Sequence, residues 1–127
     1  MGIFKAYDVR GIFPDELNED IAYNIGRAFV KFLKATEVLV GRDGRLSSPE
    51  LFKSLTKGIK DQGANVIDIG LCSTPMFYFA AAKATSAIMV TASHNPKQYN
   101  GFKFCRENAV PISEDTGIKE IEKLVQD

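Results

Sequence analysis

The sequence predicts an α/β fold with three layers (α/β/α), in which helices cover both faces of a mixed, mostly parallel sheet that ends in an antiparallel hairpin. Apolar, β-branched runs alternate with amphipathic segments of helical period along the 127 residues. This alternation is typical of strand–helix–strand units. The segment 91–100 is the exception, because it separates two apolar runs and is too short for a crossover helix. The two strands that flank it should therefore be antiparallel.

Five segments have the apolar composition of strands. They are IFKAY (3–7), EVLVG (37–41), NVIDIG (65–70), SAIMV (86–90) and GFKFC (101–105).

Four segments between or after these runs have helical signals. Asn18 is a good N-cap, and the apolar residues behind it recur at helical spacing on one face. The second helix should begin at SSPE (47–50), with a serine cap and a proline in the first turn, and end near Gly63. STP (73–75) repeats this capping pattern for a short helix through Ala84, and Ser113 begins the last helix. The first helix has the face Ile21, Ile25, Ala28, Phe29, Phe32 and Leu33.

Composition limits the class of protein. The length is that of one domain, and 45% apolar residues are enough for a real core. Sixteen basic and sixteen acidic residues cancel, which argues against a general binder of nucleic acid or membrane surfaces. No apolar run reaches the roughly 20 residues that cross a bilayer. We expect a cytoplasmic protein with free thiols, since its two cysteines form no CxxC pair.

The loop TASHNP (91–96) follows the predicted strand 86–90. No acidic residue occurs between Ile88 and Arg106, whereas Lys97, Lys103 and Arg106 are positive. In open α/β sheets, ligands bind beyond the carboxyl ends of the parallel strands. These side chains and the loop N–H groups therefore suit an anion, phosphate above all. The alternative is an ordinary polar turn around Asn95-Pro96.

Three further interpretations concern this loop and two neighbouring motifs. Ser93 beside His94 is a weak hydrolase signal, because adjacent residues of an extended loop point apart and GxSxG is absent. In AYDVRG (6–11), Arg10 could grip a phosphate or a sugar hydroxyl; the alternative is a surface pair with Asp8. For GRDGRLSSPE (41–50), a structural network of turn contacts is favoured.

Together these motifs resemble a known family. TASHNPKQYNGFK (91–103) resembles the active-site serine loop of the α-D-phosphohexomutases. YDVRG (7–11) and VGRDGRLSSP (40–49) are similar to other signatures of the family's first domain, in the same order. The resemblance covers residues 1–127, as the first (N-terminal) domain of a four-domain enzyme. QYNGFK is closer to the bacterial and archaeal phosphomannomutase/phosphoglucomutase branch.

The resemblance implies a phosphotransferase of the isomerase class, acting on mannose or glucose phosphates. Ser93 would carry a phosphoryl group and pass it to a hexose 1- or 6-phosphate, through a bisphosphorylated sugar intermediate. A Mg²⁺ ion would bridge the phosphoserine oxygen of Ser93 to carboxylates.

The resemblance also implies roles for five other residues. Lys103 would be the general acid/base, and His94 and Asn95 would support the serine loop. Arg10 and Tyr7 would lie near the phosphoserine and the sugar, so that Arg10, Tyr7 and Asn95 bind substrate.

Other signatures of the family are absent from the sequence. It has no metal loop of the DGDGD type, no GEMSGH-type sugar loop and no phosphate-binding arginine–serine motif of a final domain. We therefore expect a first-domain fragment, inactive alone, whose partners are hexose phosphates and the remaining domains of the same enzyme. The alternatives are a non-catalytic phosphate- or phosphopeptide-binding α/β module, or a fragment of a phosphoglucosamine mutase.

Overall fold

The computed structural model describes residues 2–126, in which strands and helices alternate as the sequence predicts. The strands are β1 (Val9–Ile12), β2 (Glu37–Arg42), β3 (Asn65–Leu71), β4 (Ser86–Val90) and β5 (Tyr99–Arg106). The α-helices are α1 (Glu19–Leu33), α2 (Ser48–Asp61), α3 (Thr74–Ala81) and α4 (Ile118–Gln126).

The described strands form one sheet in the order β1-β5-β4-β2-β3. Strand β2 is parallel to both β3 and β4, while β5 is antiparallel to both β4 and β1. Four strands therefore run one way and β5 runs back between two of them. The mixed, mostly parallel sheet and its antiparallel hairpin are confirmed.

The helices cover both faces of this sheet. Alternate residues of β2, β4 and β5 point into a large core packed by α1, α2 and α4, including Val40, Ile88 and Phe104. The residues between them pack against Phe77 and Ala81 of α3 on the other face. The three predicted layers are thus confirmed.

The predicted first strand at 3–7 is wrong. These residues form a turn in which Lys5 N–H donates to the Asp8 carbonyl at 2.8 Å, and only Phe4 makes an isolated bridge, to Val9. Residues 5–7 are all exposed, so this stretch lacks the in-and-out alternation of a sheet strand. The pairing with β5 starts at Val9. Asp8 therefore directly precedes β1, and Arg10 is the second residue of β1. Both lie beside the hairpin.

The helix starts agree with the sequence in part. Asn18 Oδ1 accepts from Ile21 N–H at 3.0 Å, and Ser73 Oγ accepts from Met76 N–H at 3.3 Å. Ser47 stands at the N-cap of α2 but makes no capping hydrogen bond, because its backbone is helical rather than extended. Its hydroxyl instead accepts from Asn100 Nδ2 at 2.8 Å. Helix α3 ends at Ala81, short of the predicted Ala84.

The last helical stretch and the cysteines fit the expectations. Ser113 caps a short 3₁₀ turn, Glu114–Thr116, that precedes α4. Cys72 and Cys105 are free thiols. Burial raises the pKa of the Cys105 thiol to about 11, so this thiol is protonated at neutral pH.

Two glycines let α1 and α2 touch backbone to backbone. A Cβ on Gly58 would lie 2.1 Å from the Tyr23 carbonyl oxygen, and one on Gly26 would lie 2.3 Å from the Leu55 carbonyl oxygen. Both distances are far below contact distance, so only glycine fits at this crossing.

Gly58→Ala is therefore expected to destabilise the fold. Alanine has the better helix propensity by about 1 kcal/mol, but overpacking against a backbone that cannot rotate away costs about 1–3 kcal/mol or more. We expect a net loss of about 2 kcal/mol in the free energy of unfolding, measured by urea denaturation. Gly44→Ala is the control, since its Cβ would meet nothing closer than 3.9 Å. Equal stability of the two variants would contradict the close packing.

Candidate active site

The loop between β4 and β5, called the serine loop here (residues 91–98), is folded on itself. Asn95 N–H donates to the Ala92 carbonyl at 3.1 Å, and Tyr99 N–H donates to the Pro96 carbonyl at 3.0 Å. At its start, Thr91 N–H donates to the Gly101 carbonyl at 2.9 Å. The loop is thus two successive turns that leave the carboxyl end of β4.

Ser93 occupies an unusual backbone conformation in this loop. Its φ of 56° lies in the left-handed region, which few residues other than glycine adopt. Its N–H donates to Thr91 Oγ1 at 3.0 Å. Strained positions of this kind persist only where the surroundings hold them, and they are frequent at functional sites.

The Arg45 side chain reaches across from the segment after β2 and binds the serine loop. Its Nη1 donates to the carbonyls of Pro96 at 2.8 Å and Tyr99 at 3.0 Å. Its Nη2 donates to the carbonyls of Ser93 at 2.9 Å and Asn95 at 2.8 Å. The predicted turn network at 41–50 is therefore also the support of the serine loop.

A buried polar contact ties the hairpin to the start of α2. Asn100 is fully buried, and its Nδ2 donates to the hydroxyls of Ser47 at 2.8 Å and Ser48 at 3.0 Å. Its Oδ1 accepts from Gly101 N–H at 2.9 Å. The far end of the serine loop is thereby fixed as well.

A second cluster of charges lies beside the loop. Arg10 Nη1 donates to Asn95 Oδ1 at 2.6 Å, and Arg10 Nη2 donates to Asp8 Oδ2 at 2.6 Å. The same Asp8 oxygen lies 3.9 Å from Lys103 Nζ. Asp8 is 5% exposed, so it is a buried carboxylate between two cations and not half of a surface pair.

One donor in this cluster has no partner. Arg10 Nε is buried and makes no hydrogen bond to any other residue in the range 2–126. A buried unpaired donor is costly. Because the Arg10 side chain as a whole is 29% exposed, other parts of it remain open to an anionic ligand in the cleft.

The predicted site residues fall into two neighbouring hollows. Tyr7, Arg10, Asn95 and Lys103 line a cleft together with Asp8. Tyr7 stands at its mouth, 76% exposed.

Ser93 lines a second groove instead, with Arg45 and Lys97. Asn95 belongs to both hollows. The side chain of His94 is exposed, and no hydrogen bond to it is found in residues 2–126. The fold therefore gathers four predicted residues in one cleft, with Ser93 across Asn95 from it and His94 pointing to solvent.

Metal binding is not provided by the described residues alone. Within 2–126, no three or more His, Cys, Asp or Glu side chains come together in a group that could hold a metal ion. The carboxylates expected to share a metal with Ser93 are thus not assembled within residues 2–126.

Sequence reasoning missed three functional contacts. The sequence places Asp8 with Tyr7 and Arg10 where they could reach the crevice but gives Asp8 no role of its own, and it favours a turn network for Arg45 and Asp43. No periodic signal could find them, because Arg45 acts on carbonyls about 50 residues away, at separations of 48 to 54. The usable hint was the arginine–aspartate–arginine pattern at 42–45 directly after a buried strand.

The fold and the site together define the class of protein: an α/β/α domain with a held serine loop at the carboxyl end of β4, beside a cleft that contains both cations and carboxylates. Residues 1–127 match the family model described as phosphoglucomutase/phosphomannomutase, alpha/beta/alpha domain I. The chain belongs to this family, and its match is to the first domain.

Relatives and solved structures agree with this family assignment. A phosphomannomutase of Klebsiella pneumoniae is 52% identical over 126 residues, covering 98% of this chain and 80% of that protein. A phosphomannomutase of Escherichia coli is also 52% identical, but the chain spans only 28% of its length. A phosphoglucomutase/phosphomannomutase family structure from Burkholderia thailandensis superposes with a TM-score of 0.89 at 42% identity, covering 98% of this chain and 30% of that one.

Two broader findings accompany the match. The family implies a metal cofactor and, since most relatives are much longer than this chain, further domains. None of the helices in residues 2–126 is both long and apolar enough to span a membrane.

Proposed function

We propose that this chain is the phosphoserine-bearing first domain of a longer phosphohexomutase, which interconverts hexose 1-phosphate and 6-phosphate. The observation that carries the proposal is Ser93, held with left-handed backbone in a clamped loop next to the cleft of Arg10 and Lys103. Relatives about 50% identical are named phosphomannomutase. Mannose and glucose phosphates are the proposed substrates.

The proposed reaction has two matching transfers. The bond between phosphorus and Ser93 Oγ breaks while a bond from phosphorus to a sugar hydroxyl oxygen forms, which gives the bisphosphorylated sugar. The sugar turns over in the site, and its other phosphate returns to Ser93. In each transfer the attacking hydroxyl loses a proton and the departing oxygen gains one, and this departing oxygen is Ser93 Oγ in the first transfer and a sugar oxygen in the second. Lys103 is the proposed group that takes the one proton and supplies the other.

The remaining residues position the phosphate and the sugar. Phosphoryl transfer depends on orientation and on positive charge near the equatorial oxygens. Arg10, part of whose side chain is open to the cleft, would bind a phosphate oxygen, and Asn95 would hold Arg10 against the loop. Tyr7 at the cleft mouth would contact the sugar. His94, exposed beside Ser93, would face incoming groups and support the loop once a ligand is bound.

The proposed metal is Mg²⁺, which favours phosphate and carboxylate oxygens. Ser93 would contribute through its phosphate, and the carboxylates would have to come from outside residues 2–126. The proposed compartment is the cytoplasm, in keeping with two free thiols.

The 127-residue chain alone is expected not to interconvert hexose 1- and 6-phosphates. Loss of a single preorganised donor already costs about 10²–10³-fold in such sites, and the isolated chain lacks several groups at once. A coupled assay should show the longer protein turning over and the chain alone at background. Turnover by the isolated chain near that of the longer protein would contradict this.

The same assay separates the alternatives. A longer protein that binds hexose phosphates without interconverting them would favour a non-catalytic phosphate-binding module. Preference for glucosamine phosphate over mannose and glucose phosphates would assign a phosphoglucosamine mutase.

A further inference from the structure

We propose that Arg45 is a positioning residue for Ser93: it sets the orientation of the serine loop through backbone contacts and does not bind the phosphate itself. The inference rests on the proposed function of Ser93 and adds a residue to that site.

Four of the five donors of the Arg45 guanidinium are used on backbone carbonyls. A guanidinium has five N–H donors in a fixed plane. Four go to the carbonyls of Ser93, Asn95, Pro96 and Tyr99, and Nε lies 3.3 Å from Asp43 Oδ2. Both Nη atoms are thus committed to the loop and its end, and Nε faces Asp43, so the effect of Arg45 on transfer should pass through the loop.

The guanidinium is itself fixed. Asp43 Oδ1 accepts from the backbone N–H of Arg45 at 3.1 Å and from the Ser48 hydroxyl at 2.8 Å. The Asp43 N–H donates to the carbonyl of Val90, the last residue of β4, at 3.1 Å. The Arg45 side chain is only 12% exposed. The clamp is therefore built on the end of β4 and the start of α2, which are rigid elements.

The serine loop needs such a clamp. Three of its carbonyl oxygens and that of Tyr99, the first residue of β5, point at one place and would repel each other without a cation between them. Ser93 would then be free to leave its left-handed conformation. Lysine cannot replace arginine here, because an ammonium has three donors and no planar fork that could reach four acceptors.

The test compares Arg45→Lys with Arg42→Lys in the longer protein. Arg42 is a matched control from the same segment, since it contacts Asp68 and the Phe52 ring but not the serine loop. We expect kcat of Arg45→Lys to fall by about 100-fold, the scale of a displacement near 1 Å. KM should change by less than about threefold, because ground-state binding is not touched. Arg42→Lys should keep kcat within about threefold of the parent.

A second measurement does not depend on activity. Lys97 is exposed within the serine loop, so trypsin cleavage after it reports loop opening. In the 127-residue chain, Arg45→Lys should be cut faster at this bond than Arg42→Lys, with cleavage elsewhere unchanged. If the parent protein shows no interconversion, the proposed function has failed, and faster cleavage after Lys97 still supports the clamp.

The outcomes that overturn the proposal are specific. A kcat of Arg45→Lys equal to that of Arg42→Lys would show that Ser93 does not need the clamp. A rise in KM with unchanged kcat would show that Arg45 acts in substrate binding. Cleavage that rises equally at all sites would show a general loss of folding and would overturn a positioning role.

Discussion

Ser93→Ala in the longer protein is expected to abolish the interconversion of hexose 1- and 6-phosphates. The proposed route has no other acceptor for the phosphoryl group, and removal of a covalent nucleophile can cost on the order of 10⁶-fold in kcat. The fold should remain, because the loop is held through carbonyls of its backbone and these are still present. A coupled assay and thermal unfolding measure the two effects.

Ser73→Ala is the matched control for this variant. The Ser73 hydroxyl caps α3 by accepting from Met76 N–H and has no hydrogen bond to the serine loop among residues 2–126, so its loss should cost about 1 kcal/mol of stability and leave turnover intact. Substantial turnover of Ser93→Ala would remove Ser93 from the reaction. Loss of turnover in Ser73→Ala as well would point to a different phosphorylated serine.

Lys103→Arg is expected to lose activity nearly as severely as Lys103→Ala. The residue lies on β5 between two buried phenylalanines, Phe102 and Phe104, so its backbone is fixed and its side chain points away from the large core. Its Nζ lies 3.9 Å from Asp8, inside the cleft. General acid–base catalysis contributes about 10²–10⁴-fold, and arginine keeps the charge but cannot release the proton.

The comparison of the two variants decides the role of Lys103. A loss of about 10²-fold or more in both supports proton transfer. Near-normal turnover and an unchanged pH profile in Lys103→Arg, with a loss in Lys103→Ala, would show that Lys103 supplies only a charge contact to the phosphate. Lys83→Arg, at an exposed lysine above Phe79, controls for the substitution itself.

The charge pattern around Lys103 shows the limits of reading the sequence locally. The stretch between Ile88 and Arg106 has no acidic residue, and this predicted a cationic loop that suits an anion. The fold inserts Asp8, the residue just before β1 and more than 90 residues away from Lys103, between Arg10 and Lys103. Only the antiparallel pairing of Val9 with Phe102 brings this carboxylate to the cleft.

The fold was predictable where a single segment has a strong pattern. Strand β4 has the predicted bounds because its five residues are all buried, and α1 follows its apolar face and its Asn18 cap. The first strand was misplaced because Ile3 and Phe4 are apolar anchors of a turn, which have the same composition as a strand end. Their backbone partners are Val9 and Arg10 of β1, and it is β1 that pairs with β5, about 90 residues later.

The candidate site was likewise predictable only in part. Ser93, Lys103 and Arg10 were predicted from motifs, and their roles stay predictions that the variants above test. The Arg45 clamp was not predicted, because it consists of contacts to backbone carbonyls, and the acceptors carry no side-chain signature.

Mass spectrometry of the longer protein tests the central claim most directly. After incubation with a hexose bisphosphate and digestion with trypsin, the peptide of residues 84–97 should carry one phosphate, and fragmentation should place it on Ser93. The matching peptide of Ser93→Ala should carry none. Phosphate on Ser47, Ser48 or Ser73, with Ser93 unmodified, would contradict the account.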